Sequence, residues 1–196
     1  MNSFAQISAV MSMVLGLGIT RMLSGAIAAF RSRQRTRIDW LPLTWACIIF
    51  LVSVQFWWAI NHIPPSFAAW TFESLVGLTA FTGLLFVAAA LILPGPEAAE
   101  KDSLQRFFEA EGRWSLLFLA IFNVASVGVN VFYFGNDPRQ LWAGLNLLEA
   151  ILPLIVFASR SRVVQATVTI VSVPAYVVIL MVLTDDSFDP LIRYPL

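Results

Sequence analysis

Charge is scarce in this chain. Only 12% of its 196 residues are Asp, Glu, Lys or Arg, where a soluble globular domain carries roughly 25%. Lysine is nearly missing, with eleven arginines against the single Lys101. Cys47 is the only cysteine and His62 the only histidine. No disulfide can therefore form within the chain. A Cys-x-x-Cys redox centre, a Cys/His zinc site, a bis-histidine haem and the histidine clusters of membrane hydroxylases are all excluded within one copy. No Gly-x-Ser-x-Gly elbow, no phosphate loop after a strand and no potassium-filter sequence is present. A net charge of zero gives no reason to expect a nucleic-acid partner. The sequence thus implies no cofactor and no metal, and it does not favour an enzyme.

Apolar residues fill the space that charge leaves. They make up 59% of the chain, and the mean hydropathy is +0.79. A membrane helix needs about 20 consecutive apolar residues, and six stretches meet that length: 4–30, 41–61, 67–93, 115–135, 140–159 and 163–184. The expected architecture is all-α: a polytopic integral membrane protein whose residues 1–196 form a single domain of six helices in one bundle. The first stretch lacks the basic flank of a signal peptide and is too long for one. Between the third and fourth spans, Leu104, Phe107, Phe108 and Trp114 can share one side of a short amphipathic helix lying at the membrane surface. Asp102 and Gln105 fit a capping box at its start.

The arginines orient the chain. Arg31, Arg33, Arg35 and Arg37 crowd the first loop, Lys101, Arg106 and Arg113 the third, and Arg160 and Arg162 the fifth. The opposite side holds only Arg139 and Arg193. Basic loops stay in the cytoplasm. Both termini are therefore expected on the outer, periplasmic side of an inner (plasma) membrane, with Arg31, Arg33, Arg35 and Arg37 touching lipid headgroups. Trp57, Trp58, Trp70 and Trp142 fall near the outer interface, and Trp40, Trp45 and Trp114 near the inner one, as indole rings prefer.

Few polar residues fall inside the spans. The first span repeats small residues every fourth position: Ser8, Ser12, Gly16, Thr20, Ser24 and Ala28. Such a stripe lets helices pack closely where lipid supplies no hydrophobic drive. It places the first span at the bundle centre or at an interface between subunits. Arg21 lies beside the stripe, roughly 6 Å past the midplane. An arginine near mid-membrane costs on the order of 2.5–3.5 kcal/mol. It must either reach the inner headgroups or find a partner, and pairing with Glu149 is the expectation here. Glu73 is the only other carboxylate in a span, and it lies too far outward. In the fifth span Trp142, Asn146, Glu149 and Pro153 share a face, and Pro153 leaves the Glu149 carbonyl without its helical donor. Asn123 and Asn130 share a face of the fourth span. Gln55, Glu73, Asn130 and Asn146 suggest a wetter outer half. Cys47 is read as a small buried hydrophobe, and His62 as a turn residue.

Two functions fit. One is a channel or transporter for protons or small cations, its path lined by Arg21, Glu149, Asn146, Asn123 and Glu73. The other is a non-catalytic assembly module that packs through Ser8, Ser12, Gly16, Thr20 and Ser24 against a second copy or another membrane subunit, with the bilayer as its constant partner.

Overall fold

A computed structural model describes residues 3–34, 37–61, 71–101 and 103–184. Every described regular element is helical. In chain order these are α1 (Ser3–Arg31), α2 (Trp40–Asn61), α3 (Phe72–Leu91), α4 (Pro96–Lys101), α5 (Leu104–Phe107), α6 (Trp114–Gly128), α7 (Leu141–Ala158) and α8 (Arg162–Thr184). Six of them are long and apolar enough to cross a membrane, and they coincide with the six apolar stretches to within a few residues. The beginning of the third stretch, with Trp70, lies outside the described residues, as does His62.

Local chemistry sets the helix ends. Thr71 caps α3 by accepting from the Ser74 N–H at 3.2 Å. Asp39 caps α2, accepting from the Leu41 N–H at 3.2 Å. Ser103 caps α5, accepting from the Arg106 N–H, and Gln105 donates to Glu109; the capping box expected of Asp102 and Gln105 rests on Asp102, which lies outside the described residues. A π-turn over Phe108–Gly112 leads from α5 towards α6, and a second over Val129–Tyr133 extends α6. At that end of α6 Asn130 donates to the Ser126 carbonyl and accepts from the Asn136 amide. These bonds make Asn130 part of a helix terminus.

Neighbours in space run α1–α3–α6–α7–α8–α2 and return to α1. Rings fill the α2–α3–α6 junction. Phe81 and Phe122 stack with centroids 4.7 Å apart, and Phe56 meets both edge-on. Leu104 and Phe108 of the α5 turn are buried, whereas Trp114 is exposed. α1 is not central. It packs mainly on α3, and its buried face carries Ile7, Met11, Leu15, Gly18, Met22, Gly25 and Ala29. Two glycines, seven residues apart, allow that approach. A Cβ on Gly18 would stand 3.3 Å from the Phe86 Cα. One on Gly25 would stand 2.8 Å from the Leu93 Cβ and 2.9 Å from the Pro94 carbonyl oxygen. At Gly16 nothing lies within 4 Å.

These contacts predict opposite effects for two identical changes. Gly25→Ala lowers stability by about 1–3 kcal/mol through overpacking. Gly16→Ala leaves it unchanged or raises it by up to about 1 kcal/mol, through helix propensity alone. Denaturant titration in detergent micelles measures both, and equal losses would contradict the packing described.

Candidate functional site

The deepest polar cluster joins four helices. Its frame starts at Pro153, inside α7. A proline there removes one backbone donor and leaves the carbonyl four residues earlier unbonded, and hydrocarbon offers no replacement. The Tyr176 hydroxyl of α8 fills the gap, donating to the Glu149 carbonyl oxygen at 2.8 Å. Trp45 of α2 meets the Tyr176 ring edge-on at 6.3 Å. Its indole N–H donates to the Thr169 hydroxyl at 2.9 Å, and that hydroxyl donates onward to the Gln165 carbonyl. Asn123 of α6 is 1% exposed and approaches the Tyr176 hydroxyl. Its buried amide nitrogen completes no hydrogen bond. The Glu149 side chain is 3% exposed and lies within electrostatic range of the same hydroxyl.

A carboxyl, a phenol and a carboxamide thus meet on α7, α8 and α6. Such a group can act as a dry clasp between helices, or hold and pass a proton between oxygens. Among the described residues, no three His, Cys, Asp or Glu side chains gather as metal ligands.

Arg21 and Glu149 do not pair. The Arg21 guanidinium lies beside Gly25 and Gly95: Cβ atoms built there would come within 3.5 Å of Nη1 and 3.4 Å of Nη2. It sits at the α1–α3 end, whereas Glu149 faces α8. The reason is azimuthal: α1 neighbours α3 and α2, not α7. The arginine instead reaches along α1 towards Gly25 and Gly95. Glu73 is exposed in the first turn of α3, where a carboxylate suits the helix dipole, and it does not join the cluster. Asn146 is half-buried and donates to the Trp142 carbonyl of its own helix at 2.9 Å.

The small-residue stripe divides. Ser8 is buried and donates to Asn61 at 3.4 Å, and Ser12 is half-buried. Gly16, Thr20 and Ser24 are exposed. They face away from α3, with the Thr20 and Ser24 hydroxyls bonded to the carbonyls four residues earlier. Cys47 is exposed on α2 and is not a core residue. Of the expected interfacial tryptophans, Trp45 and Trp142 are buried inside the protein.

In the first loop Arg31 and Arg37 are exposed, and Arg33 stacks over the Phe30 ring at 4.1 Å. Arg35 lies outside the described residues. The described ion pair joins Arg162, at the start of α8, to the Asp39 cap of α2, so one carboxylate fixes two helix starts. Sequence reasoning missed Tyr176, Trp45, Thr169 and this pair. The available signals were a tyrosine two residues after Pro174, and an acid set directly before an apolar run.

No family model, curated protein or solved structure matches the chain. Its functional reading rests on its own residues.

The proline carbonyl supplies a coupling test. Tyr176→Phe costs about 1–2 kcal/mol by leaving a buried acceptor unpaired. In a Pro153→Ala background, where position 153 regains an N–H for that carbonyl, the same change costs much less. Additive losses across the four proteins would refute the clasp.

Proposed function

We propose that this chain is a non-catalytic module of the inner (plasma) membrane that assembles through the outward face of α1. Both termini lie outside, the basic loops lie in the cytoplasm, and the turn containing α5 rests at the inner surface. The arginine asymmetry between the two sides supports this orientation. So do exposed Trp57 and Trp58 at one end of α2 and exposed Trp40 and Trp114 at the other end of their helices.

The observation that carries the assembly reading is the open stripe of Gly16, Thr20 and Ser24. Its hydroxyls are already bonded within α1, so a partner helix meets a smooth surface that needs no polar counterpart. Residues spaced by four drift about 40° per step on a straight helix, which suits a right-handed crossing of two such stripes. A self-complementary stripe fits a twofold pair of like copies, and another membrane subunit with a similar face could replace the second copy.

A second reading has its own observation. Glu149, buried on α7 where Tyr176 bonds its carbonyl, could form the core of a path for protons or small cations, with Asn146 one turn outward. Arg21 and Glu73 take no part in it.

The two readings predict different results. In a Cys47→Ser background, cysteines replacing Gly16, Thr20 or Ser24 form disulfide-linked products in the membrane, and cysteines replacing Leu15 or Met22 do not. The same yield from both faces, or none from either, would reject assembly through this stripe. For the second reading, liposomes holding the wild type pass protons or cations, and a folded Glu149→Gln variant does not. A wild type silent across pH and voltage removes that reading.

A further inference from the structure

The inner end of α1 carries a feature that neither reading uses. Arg21 is a cation in an apolar helix with no carboxylate to meet it. Its Nη1 is buried and has no hydrogen-bond partner. The side chain runs towards Gly25, one turn closer to the inner end of the helix. Helical side chains ordinarily lean towards the N-terminus, so this course is against the grain. Gly25 and Gly95 flank the guanidinium, and a Cβ at either position would stand in contact with it.

Just below lies a recess of about 570 Å³, lined by Ser24, Ile27, Ala28, Arg31, Ser32, Gln34 and Pro96. Positions 21, 24, 28, 31 and 32 fall on one flank of α1, at the spacing of successive turns. Pro96, on the far wall, follows the glycine that the Arg21 Nη2 approaches. Six residues separate the level of Gly25 from Arg31, which is about 9 Å of helix. The recess therefore has the exposed Arg31 guanidinium and the Gln34 amide on its wall, and the Arg21 guanidinium stands outside the lining, beside Gly95, the neighbour of Pro96. Among the described residues no carboxylate lines it. Glu97, next to Pro96 in sequence, is exposed on α4.

We propose that this corner between α1 and α4 is a binding site for a phosphate group, held by Arg21 from above and Arg31 from below. Guanidinium groups match phosphate oxygens in charge and geometry. The proposal rests on the inner-side placement of this corner given above. Ser24 and Ala28 belong both to the stripe and to the recess, so a helix seated on the stripe would border this corner. The site differs from the diffuse attraction of a basic loop for anionic lipid because it has one seat and one half-buried arginine within the span.

The test titrates purified wild-type protein in neutral detergent with fluorescently labelled phosphatidylglycerol. Salt at about 0.5 M screens loose surface attraction. One lipid binds per chain. Arg21→Gln and Arg31→Gln each weaken binding by about tenfold, the loss of one charge-assisted contact. Arg33→Gln, in the same loop but outside the recess, leaves it unchanged. Arg21→Lys retains part of the affinity, which separates loss of charge from loss of fold. A parallel titration with glycerol phosphate in solution locates the source of the ligand. The same variant pattern there assigns the seat to a soluble phosphate compound, and binding of lipid alone assigns it to a headgroup. Equal weakening by Arg33→Gln, or no saturable binding of either ligand, overturns the site. Because the lipid can reach both ends of the protein in detergent, a wrong orientation would leave these results intact and would appear only in labelling of the loops from either side of the membrane.

Discussion

A carbonyl without a donor cannot be left in hydrocarbon, and this constraint organises the interior. Pro153 creates such a carbonyl at Glu149, and Tyr176 answers it from the next helix. Tyr176 is then held in turn by the edge of Trp45, and Trp45 is tied to Thr169. One missing N–H on α7 thereby fixes how α7, α8 and α2 sit together. The same constraint governs the hydroxyls. Ser53, Thr82, Thr169 and Ser172 each donate to a carbonyl four residues earlier in their own helix. Back-bonding of this kind lets a hydroxyl be carried through lipid or through a dry core with no partner from another helix.

α1 shows what happens where packing, not hydrogen bonding, supplies the attraction. Its inward face is cut to fit α3 by Gly18 and Gly25. Its outward face is cut equally low by Gly16, Thr20 and Ser24, which are exposed among the described residues. A helix with two shallow faces suits a position between its own bundle and another one. Arg21 lies on the flank between those faces, where its side chain can leave the apolar depth for the inner end.

Depth along the membrane normal was legible in the sequence, and angle about it was not. The six spans follow from run length, and the face of α7 that buries Trp142, Glu149 and Pro153 follows from spacing. The Arg21–Glu149 pair failed because equal depth does not make two helices neighbours, and the order α1–α3–α6–α7–α8–α2 is set by packing that no single stretch encodes. The stripe on α1 was visible as a pattern, but periodicity alone does not say which of two small faces turns inward. Trp45 looked interfacial from its position near a helix start; its burial depends on Thr169, more than a hundred residues away. Asp39 was passed over because its ion-pair partner, Arg162, counted only as one more loop charge.

Six helices long enough to cross a membrane, a dry polar clasp and an open small-residue face on α1 are the features behind the proposal of assembly. The central claim is that Gly16, Thr20 and Ser24 face another helix, not lipid. Spin labels at Thr20 and at Ile151, an exposed position on α7, test it in reconstituted bilayers. Oxygen dissolved in the lipid relaxes a label that faces acyl chains and spares one covered by protein. The account predicts that the label at Thr20 is shielded while the label at Ile151 is not, and that the shielding disappears when the protein is diluted with excess lipid. Equal oxygen access at both positions at every dilution would contradict it.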